Sequence, residues 1–422
     1  MHTGTGETST EIGIIGGGIM GLCTAYFLER AGRSVTVLER GALGGGGSRG
    51  NGGQIVFAKP LPAPGAVENG LKHLFSKSGA FYVRPQSFVK MIPFLLGFSL
   101  SSRASTYRES LFKMDELNRL TMGLFDEMKL DGIGTEIQET GNLRCFGDEK
   151  SAVADHAAAL TLADLELSPR PRDLMAGETL RRYEPALGQA SRWGFVQPGL
   201  RWGDPSLFVD QLIAHLRGRG VRFLEQSEVE TVREEGDTVS VRHGDRTSRF
   251  SRVVVTAGPW SRSLLRPMGT RIKMQPGMGY SFSVAPKVMP RHTVVLGDAH
   301  VGATPMDATR LRIAGTMDFS GSFRGSPAEK IAAIVQSSKP YLADLDWEAR
   351  IEEWSAPRPM TPDGLPYIGF VPNRSRIVLA SGHNMLGFTL GPATGFRAAQ
   401  LVTGEITPAT MASFALKRRI AV

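Results

Sequence analysis

Cysteine is nearly absent. Only Cys23 and Cys145 occur in 422 residues, which excludes a disulfide framework and a cysteine-rich zinc site and makes a reducing compartment the expectation. Long apolar runs are missing too. Ile12–Leu28 is broken by Gly13, Gly16, Gly17, Gly18 and Gly21, and Phe88–Leu100 holds Lys90 and Pro93; a bilayer-spanning helix needs about 20 apolar residues. Met1–Glu11 contains no Lys or Arg, so the positive flank of a signal peptide is not there. No basic run is interleaved with aromatics, and nucleic acid is not an expected partner. No Ser-His-Asp set, metal-ligand cluster or fixed-period repeat stands out.

Acid is in slight deficit: 49 Lys and Arg stand against 41 Asp and Glu, a net charge of +8. That balance suits an anionic ligand or an anionic membrane surface. Phe88–Leu100 is expected as a core helix or a cap over a pocket, with a surface that dips into a bilayer as the other reading. What is abundant is glycine, 50 residues, about 12% against a usual value of about 7%.

The glycines are concentrated where they carry chemistry. Glu11–Ile15 reads as a β-strand, Gly16-Gly17-Gly18-Ile19-Met20-Gly21 follows, Leu22–Ala31 has helical apolar spacing, and Ser34–Leu38 is a second strand ending at Glu39. This is a complete dinucleotide-binding fingerprint. Gly16 permits the turn out of the strand, Gly18 lets the backbone touch a pyrophosphate, and Gly21 lets the helix pack closely. The helix N-terminus presents free N–H groups and partial positive charge to phosphates. Glu39 is placed to accept ribose hydroxyls and disfavours a 2′-phosphate. FAD is favoured over NAD because the glycine-rich stretch Gly41–Gly53 can wrap a cofactor and because no second complete fingerprint exists: Gly4-Thr5-Gly6 follows no strand and Gly315-Thr316 lacks the spacing. A flavoprotein without a nicotinamide site draws electrons from its substrate.

Further along, Asp204-Pro205 reads as the start of a helix running to about Arg219 and closed by Gly220. Strands are expected at Val221–Leu224, Glu228–Arg233, Val239–Arg242 and Arg252–Thr256, the last leading into Ala257 and Gly258 beside a cofactor. Tyr280–Val284, Thr293–Leu296 and Leu311–Ala314 read as an antiparallel sheet, and Pro327–Tyr341 as a helix. Ala356–Gly369, with its many prolines and glycines, reads as rigid irregular backbone. Strand Ile377–Ala380, the turn from Gly382 and a helix Ala393–Val402 close the chain.

These segments together resemble the D-amino acid oxidase superfamily of FAD proteins, most closely its D-amino acid dehydrogenase (small subunit) and glycine oxidase branch. The resemblance covers essentially the whole chain. It rests on GIIGGGIMG with Glu39, Ser48–Ile55, Val253–Ser261, Gly279–Val284, Arg310–Met317, Arg358–Gly369 and Ser381–Gly395. It implies an α/β fold, α+β overall: a Rossmann-like FAD-binding domain (1–85, 203–272 and 357–422) interleaved with a substrate domain (86–202 and 273–356) built on a mostly antiparallel sheet. It implies that Arg358 binds a substrate carboxylate, to which guanidinium is matched in geometry and charge, and that Tyr280 is a pocket residue. Cofactor contacts are implied for Gly16, Gly18, Ile19, Met20, Gly21, Glu39, Arg40 and Val229, for the loop residues Ser48, Arg49, Asn51, Gly53 and Gln54, for Ala257 and Gly258, and for Gly382, Met385, Leu386, Gly387 and Thr389 against the flavin. His383 is expected to pack near the ring rather than act as a base.

Two departures from the family pattern stand out: Gly277-Met278-Gly279-Tyr280 where a lysine is common, and Pro357 before the arginine. Cys23 falls in the first helix and Cys145 on a strand, so noncovalent FAD is expected, with no metal. The implied reaction is oxidation of the C–N bond of a small amino acid by hydride transfer to the flavin, giving an imine and then a 2-oxo acid. The electron acceptor is a quinone or electron-transfer protein, or oxygen in a glycine/sarcosine-type oxidase; a non-catalytic FAD-binding subunit is the remaining alternative. A cytoplasmic location is expected, including peripheral contact at the inner face of the membrane.

Overall fold

The computed structural model describes residues 12–64, 81–83, 88–319 and 327–418. The expectations for Met1–Glu11 and Gly4–Gly6 lie outside them. The β-branched run Ile12–Ile15 forms the strand expected of it and is buried throughout. It sits at the middle of a six-stranded sheet ordered 222–224, 35–38, 12–15, 252–255, 377–381, 367–370. The first five strands are parallel and the last is antiparallel. Continuous apolar strands buried on both faces are what a parallel sheet requires.

Helices cover this sheet. Ile19–Arg30 packs on Gly387–Thr403, and the approach is close because Gly391 and Gly395 are glycines: a Cβ on Gly395 would lie 2.5 Å from the Cys23 carbonyl carbon. The C-terminal helix therefore begins at Gly387, six residues before the expected Ala393. Pro392 near its start forfeits a single backbone bond, while the first turns bury Phe388 and Leu390. Helix Pro205–Gly218 starts as expected, with Asp204 Oδ1 accepting the Ser206 N–H at 2.8 Å, and Gly220 follows with φ +82°.

The second large sheet has nine strands. Along its main path lie 351–360, 275–284, 311–318, 301–305, 293–296, 142–146, 193–197 and 175–176, while 81–82 pairs beside 311–318. Its pairings are antiparallel except 293–296 with 142–146 and 311–318 with 81–82. One expectation is corrected here. Ala356–Met360 is not irregular backbone but the end of the ten-residue strand Ile351–Met360. This strand is at the sheet's edge, where Pro357 and Pro359, two residues apart, turn their missing N–H groups away from the neighbouring strand.

Helix Phe88–Ser101 packs Met91, Phe94 and Phe98 against Met317, Phe319 and Met360. Its other face leaves Val89, Ile92 and Leu96 exposed. Among the described residues no helix is long and apolar enough to cross a membrane.

Candidate functional site

The fingerprint turn opens onto an elongated cavity of ≈450 Å³ that runs from the ends of the parallel strands to the edge strand carrying Arg358. Its first end is built by the turn itself. Gly16 has φ +111°, and a Cβ on Gly21 would fall 1.9 Å from the Gly16 oxygen, so both must be glycine. Glu39, at the tip of its strand, accepts the Gly17 N–H at 2.7 Å and the Gly41 N–H at 3.0 Å. Arg40 stacks on Trp260 with its guanidinium carbon 3.5 Å from the ring centroid. Ser48 Oγ accepts the Ile19 N–H at 2.9 Å, which fixes the glycine-rich loop to the start of the first helix.

The other end carries a cation and a histidine. The Arg358 guanidinium has no hydrogen bond or ion pair among the described residues; the residue is half-buried on the cavity wall, and the protein packed around it lowers its pKa to about 10. His383 is buried. Its Nε2 lies 2.8 Å from Thr394 Oγ1, its Nδ1 has no partner among the described residues, and burial lowers its pKa to about 3. The imidazole is therefore neutral at physiological pH, as suits packing rather than proton transfer. Behind it Asn384, at φ +53°, accepts the Thr361 N–H and donates to the Gly364 and Gly382 carbonyls, tying the turn to the 361–366 segment.

The structure brings Gly16, Gly18, Ile19, Met20, Glu39, Arg40, Ser48, Asn51, Val229, Ala257, Gly258, Arg358 and Gly387 onto one cavity wall. Gly21 supports that wall from inside the helix. Gly53, at φ +74°, donates to Asn51 Oδ1. Arg49 does not face the cavity: its guanidinium pairs with Asp210 at 2.7 Å, while its carbonyl accepts from Ser206 and Arg312. Gln54 faces a different cavity. Gly382 takes φ +90° before the turn, Met385 is exposed, Leu386 caps the last helix, and Thr389 Oγ1 donates to the Gln54 carbonyl. Tyr280 is not brought to the cavity either. Strand alternation puts it with Met278 and Phe282 in the apolar core beneath the sheet, and Gly279 occupies the face on which Arg358 lies.

Sequence reasoning did not single out Thr256, Trp260, Ser263 or Leu264, which also line the cavity. Trp260 stood within the VVVTAGPWS segment, and its arginine partner across the mouth was the missing signal. Among the described residues no group of three or more His, Cys, Asp and Glu could hold a metal, and both cysteines are buried thiols with pKa values pushed up by burial.

The residues present suit an FAD. The backbone cradle has no Cβ at Gly16 or Gly18, the Glu39 carboxylate stands beside it at the tip of the second strand, and the buried His383 Nδ1 lacks a partner among the described residues. The family profile described as DAO, FAD-dependent oxidoreductase, matches residues 11–401. A D-amino acid dehydrogenase of Vibrio vulnificus (strain CMCP6) is 28% identical over 406 residues, spanning 93% of this chain and 95% of its own. Glycine oxidase from Geobacillus kaustophilus superposes with a TM-score of 0.73 at 22% identity, covering 97% of this chain and 99% of that one. The L-α-glycerophosphate oxidase from Mycoplasma pneumoniae, a structure with FAD bound, superposes with a TM-score of 0.73 at 16% identity, covering 94% and 95%.

Proposed function

The chain belongs to the DAO family of FAD-dependent oxidoreductases, and from that premise we propose that it oxidises the C–N bond of a small amino acid in the manner of a D-amino acid dehydrogenase. The observation that carries the proposal is Arg358: a half-buried guanidinium, without a carboxylate partner among the described residues, on the wall of the cofactor cavity. A cation in that setting is stabilised by an incoming carboxylate in bidentate contact. The full-length 28% identity to a D-amino acid dehydrogenase supports the amino-acid class.

In this reading Gly16, Gly18 and the first turn of Ile19–Arg30 hold the pyrophosphate, Glu39 the ribose, and Arg40 with Trp260 flanks the adenine end. Asn51, Ala257, Gly258 and Gly387 border the flavin end. FAD, when bound, supplies the hydride acceptor that converts the amine to an imine, which water hydrolyses to a 2-oxo acid. Arg358 anchors the carboxylate and so orients the Cα–H. The neutral, buried His383 takes no proton; the substrate ammonium gives its proton to bulk water on binding, and the neutral amine is the form oxidised. The proposed cofactor domain, 1–85, 203–272 and 357–422, is supported by the strands of the six-stranded sheet, which all fall within it.

The proposed acceptor is a quinone or electron-transfer protein reached at a membrane surface. Support comes from the exposed Val89, Ile92 and Leu96 on one face of Phe88–Ser101 and from the net charge of +8.

An anaerobic flavin-reduction screen over D-, L- and N-methyl amino acids tests the whole reading. Bleaching by a small D-amino acid, with slow recovery in air, is expected. Fast recovery in air identifies the oxygen-using glycine/sarcosine-type oxidase instead, and no bleaching by any member of the panel refutes the proposal.

A further inference from the structure

A second cavity, of ≈230 Å³, lies on the other side of the 51–59 segment. Asn51 lines the first cavity, Gln54 and Val56–Lys59 contribute to the second, and none of the described residues lines both. Thr389 pins this partition, its Oγ1 accepting the Val56 N–H and donating to the Gln54 carbonyl, each at 3.2 Å. The strand of Arg358 and the strand of Val295, which lines the second cavity, are four sheet positions apart, about 19 Å at the usual strand spacing of ~4.8 Å. A small amino acid held by Arg358 does not span that distance.

The second cavity has a definite chemistry. Among the described residues its charged side chains are Lys59, Arg144 and Asp155. Arg144 and Asp155 neutralise each other in a two-pronged ion pair. Lys59 has no carboxylate within 4.0 Å among the described residues, although its side chain meets solvent within the cavity, and the surrounding protein and nearby Arg144 lower its pKa to about 8. It remains largely an ammonium at neutral pH. Asn142 is 3% exposed. Its Nδ2 donates to Gln54 Oε1 at 3.2 Å, but its Oδ1 is buried with no partner among the described residues. A buried acceptor left unpaired is costly, and a ligand donor removes that cost. Leu111, Leu162 and Leu167 supply apolar wall.

We infer that this cavity is a second ligand site, for a small organic carboxylate that pairs with Lys59, donates a hydroxyl or amide hydrogen to Asn142 Oδ1, and lays its aliphatic part on the leucines. At about 30 Å³ per water-sized group, the space holds about eight non-hydrogen atoms.

The test is calorimetric titration of the FAD-loaded protein with 4-hydroxybutanoate, with butanoate (no donor) and with 1,4-butanediol (no charge). Hydroxybutanoate is expected to bind at least tenfold more tightly than either control. Lys59→Met is expected to weaken it tenfold or more while flavin reduction by amino acid stays at the wild-type rate; Lys59→Gln substitutes if Lys59→Met fails to hold flavin. Arg358→Leu is expected to leave hydroxybutanoate binding intact. Absence of binding, equal binding of the three probes, indifference to both Lys59 variants, or loss of binding in Arg358→Leu each overturns the inference. The last outcome places the ligand in the amino-acid site and leaves the proposed function standing.

Discussion

The guanidinium of Arg358 lies against the backbone of Gly279 on the neighbouring strand: a Cβ at position 279 would be 2.4 Å from Arg358 Cζ. Gly277, directly opposite Arg358 in the sheet register, meets Met360 in the same way, at 2.7 Å. The Gly-Met-Gly segment thus makes the floor on which the arginine rests. Gly279→Ala is expected to displace the guanidinium and raise KM tenfold or more, with FAD content unchanged. Steady-state kinetics beside the flavin absorbance ratio checks this; a wild-type KM would show that the arginine tolerates the methyl.

Removing the cation itself should do more. Arg358→Ala takes away one partner of a desolvated charge pair, a loss of about 2–5 kcal/mol in kcat/KM. The variant should remain yellow, since the hydrogen bonds that order the fingerprint turn and Glu39 do not involve Arg358. Kinetics indistinguishable from wild type would remove Arg358 from carboxylate binding.

Glu39 serves two purposes, ordering its own turn through the Gly17 and Gly41 N–H groups and offering acceptors to a ribose. Glu39→Ala is expected to weaken FAD by about 1–3 kcal/mol, the range for buried groups left unpaired. Fluorescence titration of flavin-free protein measures it, and full occupancy at low FAD would count against the assignment.

His383 gives a pH dependence whose sign is set by its lowered pKa. The folded group protonates only near pH 3, while the unfolded one does so near its ordinary 6.5. Between those values the unfolded chain binds more protons, so the stability present above pH 6.5 is lost as the pH falls toward 3, up to about 4–5 kcal/mol. Thermal unfolding of the flavin-free chain from pH 7 to 4 should show a steeper loss than in His383→Asn; parallel curves would mean the histidine is not held neutral.

Gly395 faces the backbone of Cys23 across the two packed helices. Gly395→Ala is expected to cost about 1–3 kcal/mol through overpacking. Chemical denaturation would reveal it as a lower midpoint at unchanged slope, and an unchanged midpoint would show that the helices part freely.

Legibility varied along the chain for physical reasons. The strand–glycine–helix–strand–acid opening is local, each residue acting on neighbours within one turn or across one strand pair, and it appears in the structure in the expected order, with the helix starting at Ile19 rather than Leu22. The helix from Pro205 was equally readable because its cap is a carboxylate two positions from the N–H that donates to it. The prolines of Ala356–Met360 misled because local propensity cannot tell an edge strand from a loop; only the neighbouring strand 275–284 makes the difference. Pro392 misled similarly, since the packing of Phe388 and Leu390 outweighs one missing backbone bond.

The sequence by itself determined the cofactor cradle and the presence of an arginine suited to a carboxylate, because both depend on residue types at short spacing. Only the tertiary structure decided which side chains meet. Strand alternation turned Tyr280 into the core and set Arg358 over Gly279, and sheet order separated the strand of Val295, on the wall of the second cavity, from the strand of Arg358 by four positions. Those are long-range relationships, fixed by how apolar faces bury against one another, and no local pattern of residues encodes them.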